Sequence, residues 1–122
     1  MKLLAAALAL FGLARADAAI LRPLTGIASW YGKEKAGQIM ANRHPFDPEA
    51  MTCATYAYPL GTTLRVVAGH RSIRVLVTDR GPAQRLGRLI DLSRHAFAQL
   101  APLNVGLITV TVSVVTPERG SR

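Results

Sequence analysis

The sequence predicts a mainly β protein, a small closed barrel with one or two short helices. Three observations point there. Short β-branched runs are separated by Gly- and Pro-containing turns, only one segment reads as a firm helix, and the strand-helix-strand rhythm of a parallel α/β sheet is missing. A chain of 122 residues supports one such core and not two.

Taken in order, residues 1–16 read as an export leader. Lys2 precedes the apolar run Leu3 to Leu13, and Ala14-Arg15-Ala16 supplies a small-residue cleavage site. The apolar run falls well short of the roughly 20 residues a spanning helix needs, so a cleaved signal peptide is expected and no transmembrane segment after it. No cysteine stands near the cleavage site to carry a lipid, which makes the expected location periplasmic or secreted. Residues 17–24 form a lead-in broken by Pro23.

The barrel is expected over residues 25–115. Thr25 to Tyr31 reads as a strand closed by Gly32. Lys33 to Pro48 is a long loop rich in Gly, Lys, Asn and Pro, and a loop of that length in a small domain is expected to line a site. Met51 to Tyr58 is compatible with a short helix or an irregular strand. Pro59-Leu60-Gly61-Thr62 is a turn, after which Thr63 to Val67 and Ser72 to Val77 form a hairpin around Gly69-His70. In its second arm Ile73, Val75 and Val77 alternate with Arg74 and Leu76, the period of a half-buried strand. Ile90 to Ser93 leads into a helix, Arg94 to Leu100, with Ser93 as N-cap and Pro102 as stop. Leu107 to Val115 is a final β-branched strand, and residues 116–122 are a polar tail.

Charge narrows the partners. The full chain carries a formal net charge of +8. Loss of the leader would remove Lys2 and Arg15 and no acid, so the mature chain stays clearly basic. Basic chains attract polyanions, but the expected export makes wall polymers or lipid head groups the relevant ones and nucleic acid not. Cys53 is the single cysteine and has no partner within the chain, so the core must stand without a disulfide. Nothing around Cys53 predicts a stabilised thiolate, and it reads as a small packed residue.

The chemistry is sought first in Val75-Leu76-Val77-Thr78-Asp79-Arg80-Gly81-Pro82. A strand that ends in a carboxylate and is stopped at once by Gly-Pro holds a charged group at the lip of a sheet. The competing reading is that Asp79 caps its own turn. Asp91, just before the helix, reads as a backbone-satisfying group. His70 and His95 have no neighbour at metal-ligand spacing, so no metal or cofactor is expected. Trp30 and Tyr31 are open between stacking on sugar faces and packing in the core.

Five blocks then carry a resemblance. Gly26-Ile27-Ala28-Ser29-Trp30-Tyr31-Gly32, Ala41-Asn42 with Phe46-Asp47, Pro59-Leu60-Gly61-Thr62, Thr78-Asp79-Arg80-Gly81-Pro82 and Ile90-Asp91-Leu92-Ser93 resemble, in this order, the bacterial rare lipoprotein A (RlpA-like) family. The resemblance covers about Thr25 to Val115. It implies a six-stranded double-psi β-barrel with a shallow groove, acting on peptidoglycan. Enzymes of the family are lytic transglycosylases that cleave between N-acetylmuramic acid and N-acetylglucosamine and leave 1,6-anhydro-muramoyl ends. Expansins and the barwin group look similar in fold and in the Trp-Tyr-Gly segment, so the alternative is a wall-binding or wall-loosening barrel without turnover. A third reading is a structural barrel that binds another exported protein.

The family's implicated groups are an acid in the Ala-Asn loop, a His before the Pro-Leu-Gly-Thr turn, and the Asp of Asp-Arg-Gly-Pro. Asp79 matches the last; His44 occupies the loop-acid position and Thr55 the His position. Asp79 is therefore expected as acid/base with His44, which departs from the family's acid, as helper across the groove, and Trp30, Tyr31, Asn42, Thr55 and Arg80 are expected as substrate contacts. A hydrolase needs two carboxylates across the scissile bond, whereas a transglycosylase lets the substrate's own C6 hydroxyl replace water, so a single acid/base suffices. A free Asp titrates near ~3.9, and a proton donor needs that value raised by burial or by a second carboxylate.

Overall fold

The computed structural model describes residues 22–116. The expected leader, and all but the ends of the expected lead-in and tail, lie outside them. Six strands close on one another: β1 (Leu24–Tyr31), β2 (Thr52–Ala54), β3 (Thr63–Ala68), β4 (Arg71–Asp79), β5 (Ile90–Ser93) and β6 (Ile108–Val114). Their order around the barrel is β1-β5-β2-β4-β3-β6. Two pairings, β1 with β5 and β2 with β4, are parallel, and the others are antiparallel. This is the double-psi barrel that the resemblance implied.

Period-two alternation builds the interior. Val75 and Val77 of β4 point inward while Arg74 and Leu76 face out, as the alternation predicts. With Leu64, Val66, Ile90, Leu92, Val110 and Val112 they fill the barrel, and Cys53 is packed among them. Each such aliphatic side chain contributes roughly 1.5–3 kcal/mol on burial, which is how the fold stands without a disulfide. Burial also pushes the Cys53 thiol well above its ordinary range, so it is an inert packing group.

The structure differs from the sequence reading in three places. Ile90 to Ser93 is not a lead-in to the helix but a strand, β5, paired with both β1 and β2. Its four residues are too few for alternation to stand out from a helix approach, and its apolar positions matter only because Ile90 and Leu92 reach the barrel centre. Met51 to Tyr58 resolves into a strand of three residues followed by irregular chain. Helix α1 (Arg94–Ala98) stops before Leu100. Ser93 caps it as expected, its Oγ accepting from the Ala96 amide at 3.2 Å while donating to the Ala50 carbonyl at 2.6 Å.

The chain from Lys33 to Ala50 folds over the outside of the barrel rather than away from it. One turn of 3₁₀ helix (Lys33–Lys35) is followed by an isolated bridge between Ile39 and Pro45. The loop is tied to the strands by the Asn42 amide, which donates to the Thr78 carbonyl at 3.1 Å. Beneath it, Tyr31, Met40, Phe46 and Ala54 form a second apolar cluster on the barrel's outer surface. Tyr31 and Phe46 stack, with ring centroids 4.3 Å apart and planes at 15°. No helix among the described residues is long and apolar enough to cross a membrane.

Candidate active site

Between that loop and the ends of β4 and β5 lies a cleft of about 280 Å³. Its floor is set by strand register. Ala54 of β2 pairs on one side with Asp79 of β4 and on the other with Asp91 of β5. Residues directly opposite in a sheet project to the same face, so both carboxylates join Ala54 on the outer surface, on backbones roughly 10 Å apart, two strand spacings. Tyr31 and Ala54 form the base between them, and Ile39, Met40 and Phe46 line the loop side.

Asp79 ends its strand as the sequence predicts. Its Oδ1 accepts from two backbone amides, Ala41 and Arg80, both at 2.9 Å. That fixes one oxygen and ties the loop to the rim. The adjoining Arg80 guanidinium turns away to donate to the Thr55 and Tyr58 carbonyls, at 2.8 and 2.6 Å. It is a brace for the turn beneath it as well as part of the cleft wall.

Asp91 is the residue that sequence reasoning passed over. It does not serve the helix, whose cap is Ser93; instead its Oδ1 accepts from the Ser29 hydroxyl at 3.1 Å and the group faces the cleft. Burial pushes its carboxyl up to about 6, against the opposing pull of the Ser29 hydrogen bond and the Arg88 and Lys35 charges. Only a register that places β5 beside β2 brings Asp91 to Asp79. Nothing in the Ile90-Asp91-Leu92-Ser93 string announces that neighbour.

Tyr31 lines the same cleft. Only 9% of its surface is exposed, and its hydroxyl is buried with no hydrogen-bond partner. Burial, then the charges of Asp79 and Asp91, push the phenol far above its ordinary range, so it remains a donor at any working pH.

The remaining sequence candidates are placed elsewhere. Trp30 points to the opposite face of β1, where its indole donates to the Leu103 carbonyl at 3.0 Å and its ring meets Phe97 at 6.3 Å. It is partly buried and packs against the core, and a Cβ on Gly32 would stand 2.8 Å from its ring. Thr55 is buried, donating to the Leu89 carbonyl at 2.9 Å and accepting from the Ala57 amide. The Asn42 side chain accepts from the His44 amide at 3.0 Å and shapes the loop tip. His44 is exposed on that tip and is not part of the cleft wall. The group that shares the cleft with Asp79 is Asp91.

The sequence profile of a family described as lytic transglycolase matches residues 24–112. The probable endolytic peptidoglycan transglycosylase RlpA of Nostoc sp. is 43% identical over 94 residues, 74% of this chain and 25% of that protein. The endolytic peptidoglycan transglycosylase RlpA of Campylobacter jejuni is 36% identical over 92 residues, 74% of this chain and 33% of that one. The chain thus spans about a quarter to a third of these relatives. Among solved structures, a Streptomyces papain inhibitor superposes with a TM-score of 0.64 at 31% identity, covering 80% of this chain and 97% of that one. An expansin of Clavibacter michiganensis superposes with a TM-score of 0.64 at 27% identity, covering 81% and 53%. A point variant of a Clavibacter michiganensis expansin, in complex with cellohexaose, gives 0.63 at 26%. One barrel therefore accompanies protease inhibition in one relative and polysaccharide binding in another, and the site has to decide between functions.

Proposed function

Because the chain belongs to the lytic transglycolase family of double-psi β-barrels, we propose that it cleaves peptidoglycan glycan strands between N-acetylmuramic acid and N-acetylglucosamine, leaving 1,6-anhydro-muramoyl ends. The observation that carries this reading is Asp91, a carboxyl raised to about 6 by burial and facing Asp79 in one cleft. Asp91 takes the proton donor's part beside Asp79, because burial raises its carboxyl to about 6 and so toward neutral pH.

The steps follow from that assignment. Asp91 donates its proton to the glycosidic oxygen as the bond to the anomeric carbon breaks. Asp79 provides a carboxylate to stabilise the positive charge developing on the sugar ring. The C6 hydroxyl of the muramoyl residue closes on the anomeric carbon, and its proton returns to Asp91. One proton leaves the carboxyl and one comes back, so no water is consumed. Tyr31, stacked on Phe46, forms with Ala54 the floor of the cleft beneath the strand. The substrate sets the place of action outside the cytoplasmic membrane, in keeping with the leader expected in residues 1–16.

A second reading is a barrel that binds wall glycan without cutting it, and the rim favours it. Ile39 and Tyr56 line the cleft while 68% and 54% exposed, an apolar lip suited to sugar faces whether or not a bond is cleaved. Purified protein incubated with glycan strands freed of stem peptides, with mass spectrometry for anhydro-muramoyl ends, separates the two. Product from the wild type that disappears in Asp91→Asn supports the lyase. Retention of strands without product supports the binding barrel.

A further inference from the structure

The cleft does not end at its own wall. A second basin of about 250 Å³ adjoins it, lined by Tyr56, Ala57, Pro82, Gln84, Arg88 and Leu89. Tyr56 and Pro82 belong to both, so they form a saddle between two compartments of one groove. Taken together the two fall within the ordinary size of ligand sites, about 300–1,000 Å³.

The compartments differ in sign. The first holds the carboxyls of Asp79 and Asp91 together with the cations Lys35 and Arg80, whereas the only charged side chain lining the second is the Arg88 guanidinium. Arg80, on the wall of the first compartment, is occupied by the Thr55 and Tyr58 carbonyls. Arg88 is half-buried, yet it has neither an ion pair nor a side-chain hydrogen bond among the described residues. Asp91 feels its charge, but no carboxylate among the described residues engages its fork, the geometry from which a carboxylate accepts paired hydrogen bonds. Gln84 adds a neutral amide beside it, and Tyr56 an exposed ring face.

We propose that this second basin is a subsite for a carboxylate-bearing sugar, with Arg88 receiving the carboxylate and Tyr56 the ring. The inference rests on the reading of the groove as a glycan site and deepens it. A muramoyl residue carries an acidic lactyl ether that its neighbour in the strand lacks. Arg88 attracts that acid unopposed in its own compartment, while in the first Lys35 and Arg80 are offset by Asp79 and Asp91, so the two compartments give the strand a direction. The acidic sugar lies on the Arg88 side of the bond that is cut, which is where the attacking C6 hydroxyl must be.

The test uses the full chain with glycan strands freed of stem peptides, and the same strands after their muramoyl carboxyls have been reduced to alcohols. Anhydro ends are counted to obtain kcat and KM, and binding is followed by calorimetry. Reduction is expected to raise KM or Kd for the wild type about ten- to a hundred-fold, the range of a hydrogen bond to a charged group. Arg88→Gln should cost the same on unreduced strands and become indifferent to reduction, and Arg88→Lys should recover only part of the loss. Equal melting temperatures of the variants establish that they fold. A wild type that treats both substrates alike, or an Arg88→Gln variant still sensitive to reduction, overturns the subsite and leaves the glycan reading standing. If the wild type neither binds nor cuts either strand, both fall together.

Discussion

Asp79 and Asp91 are both register partners of Ala54, one on each side of the three-residue strand β2. A strand with a small side chain between two carboxylates leaves room above it for a sugar ring. The two acids are 12 positions apart in sequence, across the Arg80–Leu89 turn and on strands that do not touch each other. What separates their roles is environment. Asp79 is anchored at the rim by two amides, while Asp91 is sunk beside Ser29 and Tyr31.

Asp91 makes stability fall as pH rises. Its carboxyl stands at about 6 in the folded chain, against an ordinary value of 3.8. Between those values the native state holds a proton that the unfolded chain has lost, so the cost begins above about pH 4 and is complete above about pH 6. Asp91→Asn should therefore match the wild type at pH 3.5 and exceed it at pH 7, by up to about 3 kcal/mol, or a melting temperature higher by several degrees. Activity runs in the same direction. As a proton donor, Asp91 should make kcat/KM fall with rising pH above about 6, tenfold per unit. Thermal melts at the two pH values and a pH-rate profile check both halves.

Tyr31→Phe should separate packing from binding. The ring stack on Phe46 survives the substitution, and an unpartnered buried hydroxyl is removed, so stability should be unchanged or raised by up to about 1 kcal/mol. Affinity for glycan should stay within about twofold of the wild type, because the hydroxyl is enclosed beneath the cleft surface. Chemical denaturation and calorimetry on the same sample give the two numbers. A loss of affinity of about tenfold would instead mean that the cleft opens to bring the hydroxyl to a sugar oxygen.

His44→Ala should leave product formation within about twofold of the wild type, because the side chain stands on an exposed loop tip outside the cleft wall. A loss of a hundredfold or more, the scale of general acid-base catalysis, would mean that the loop closes on substrate and carries His44 to the reacting atoms. Rates on stem-free glycan strands measure this directly.

These expectations rest unevenly on the sequence. The alternation of Ile73, Val75 and Val77 and the Gly-Pro stop made β4 and the rim position of Asp79 legible, since both are local. Likewise the Ser93 cap was readable from its neighbours. Asp91 was not, because its importance arises from the pairing of β5 with β2 and β1, contacts across 37 and 62 positions of sequence. The Trp30 and Tyr31 ambiguity had the same origin. Adjacent residues on a strand face opposite sides, so one of the pair entered the core and the other the cleft, and only the closure of the barrel fixes which.

Arg80 provides the last prediction, a structural loss that imitates a catalytic one. Its Nη1 donates to the carbonyls of Thr55 and Tyr58, which belong to irregular chain with no strand partner for those groups. Arg80→Ala strips that chain of its brace and leaves two carbonyls to find water; hydrogen bonds to a charged donor are worth about 1.5–3 kcal/mol, reduced here by the exposure of the side chain. The melting temperature should fall by several degrees. Activity should fall too, since Tyr56 lies within the loosened segment and lines both compartments of the groove. Arg80→Lys discriminates: its single ammonium reaches one carbonyl at a time, so stability should return only in part, and activity measured well below the melting temperature should follow stability across the series. A variant fully stable yet inactive would instead mean that the guanidinium touches the sugar.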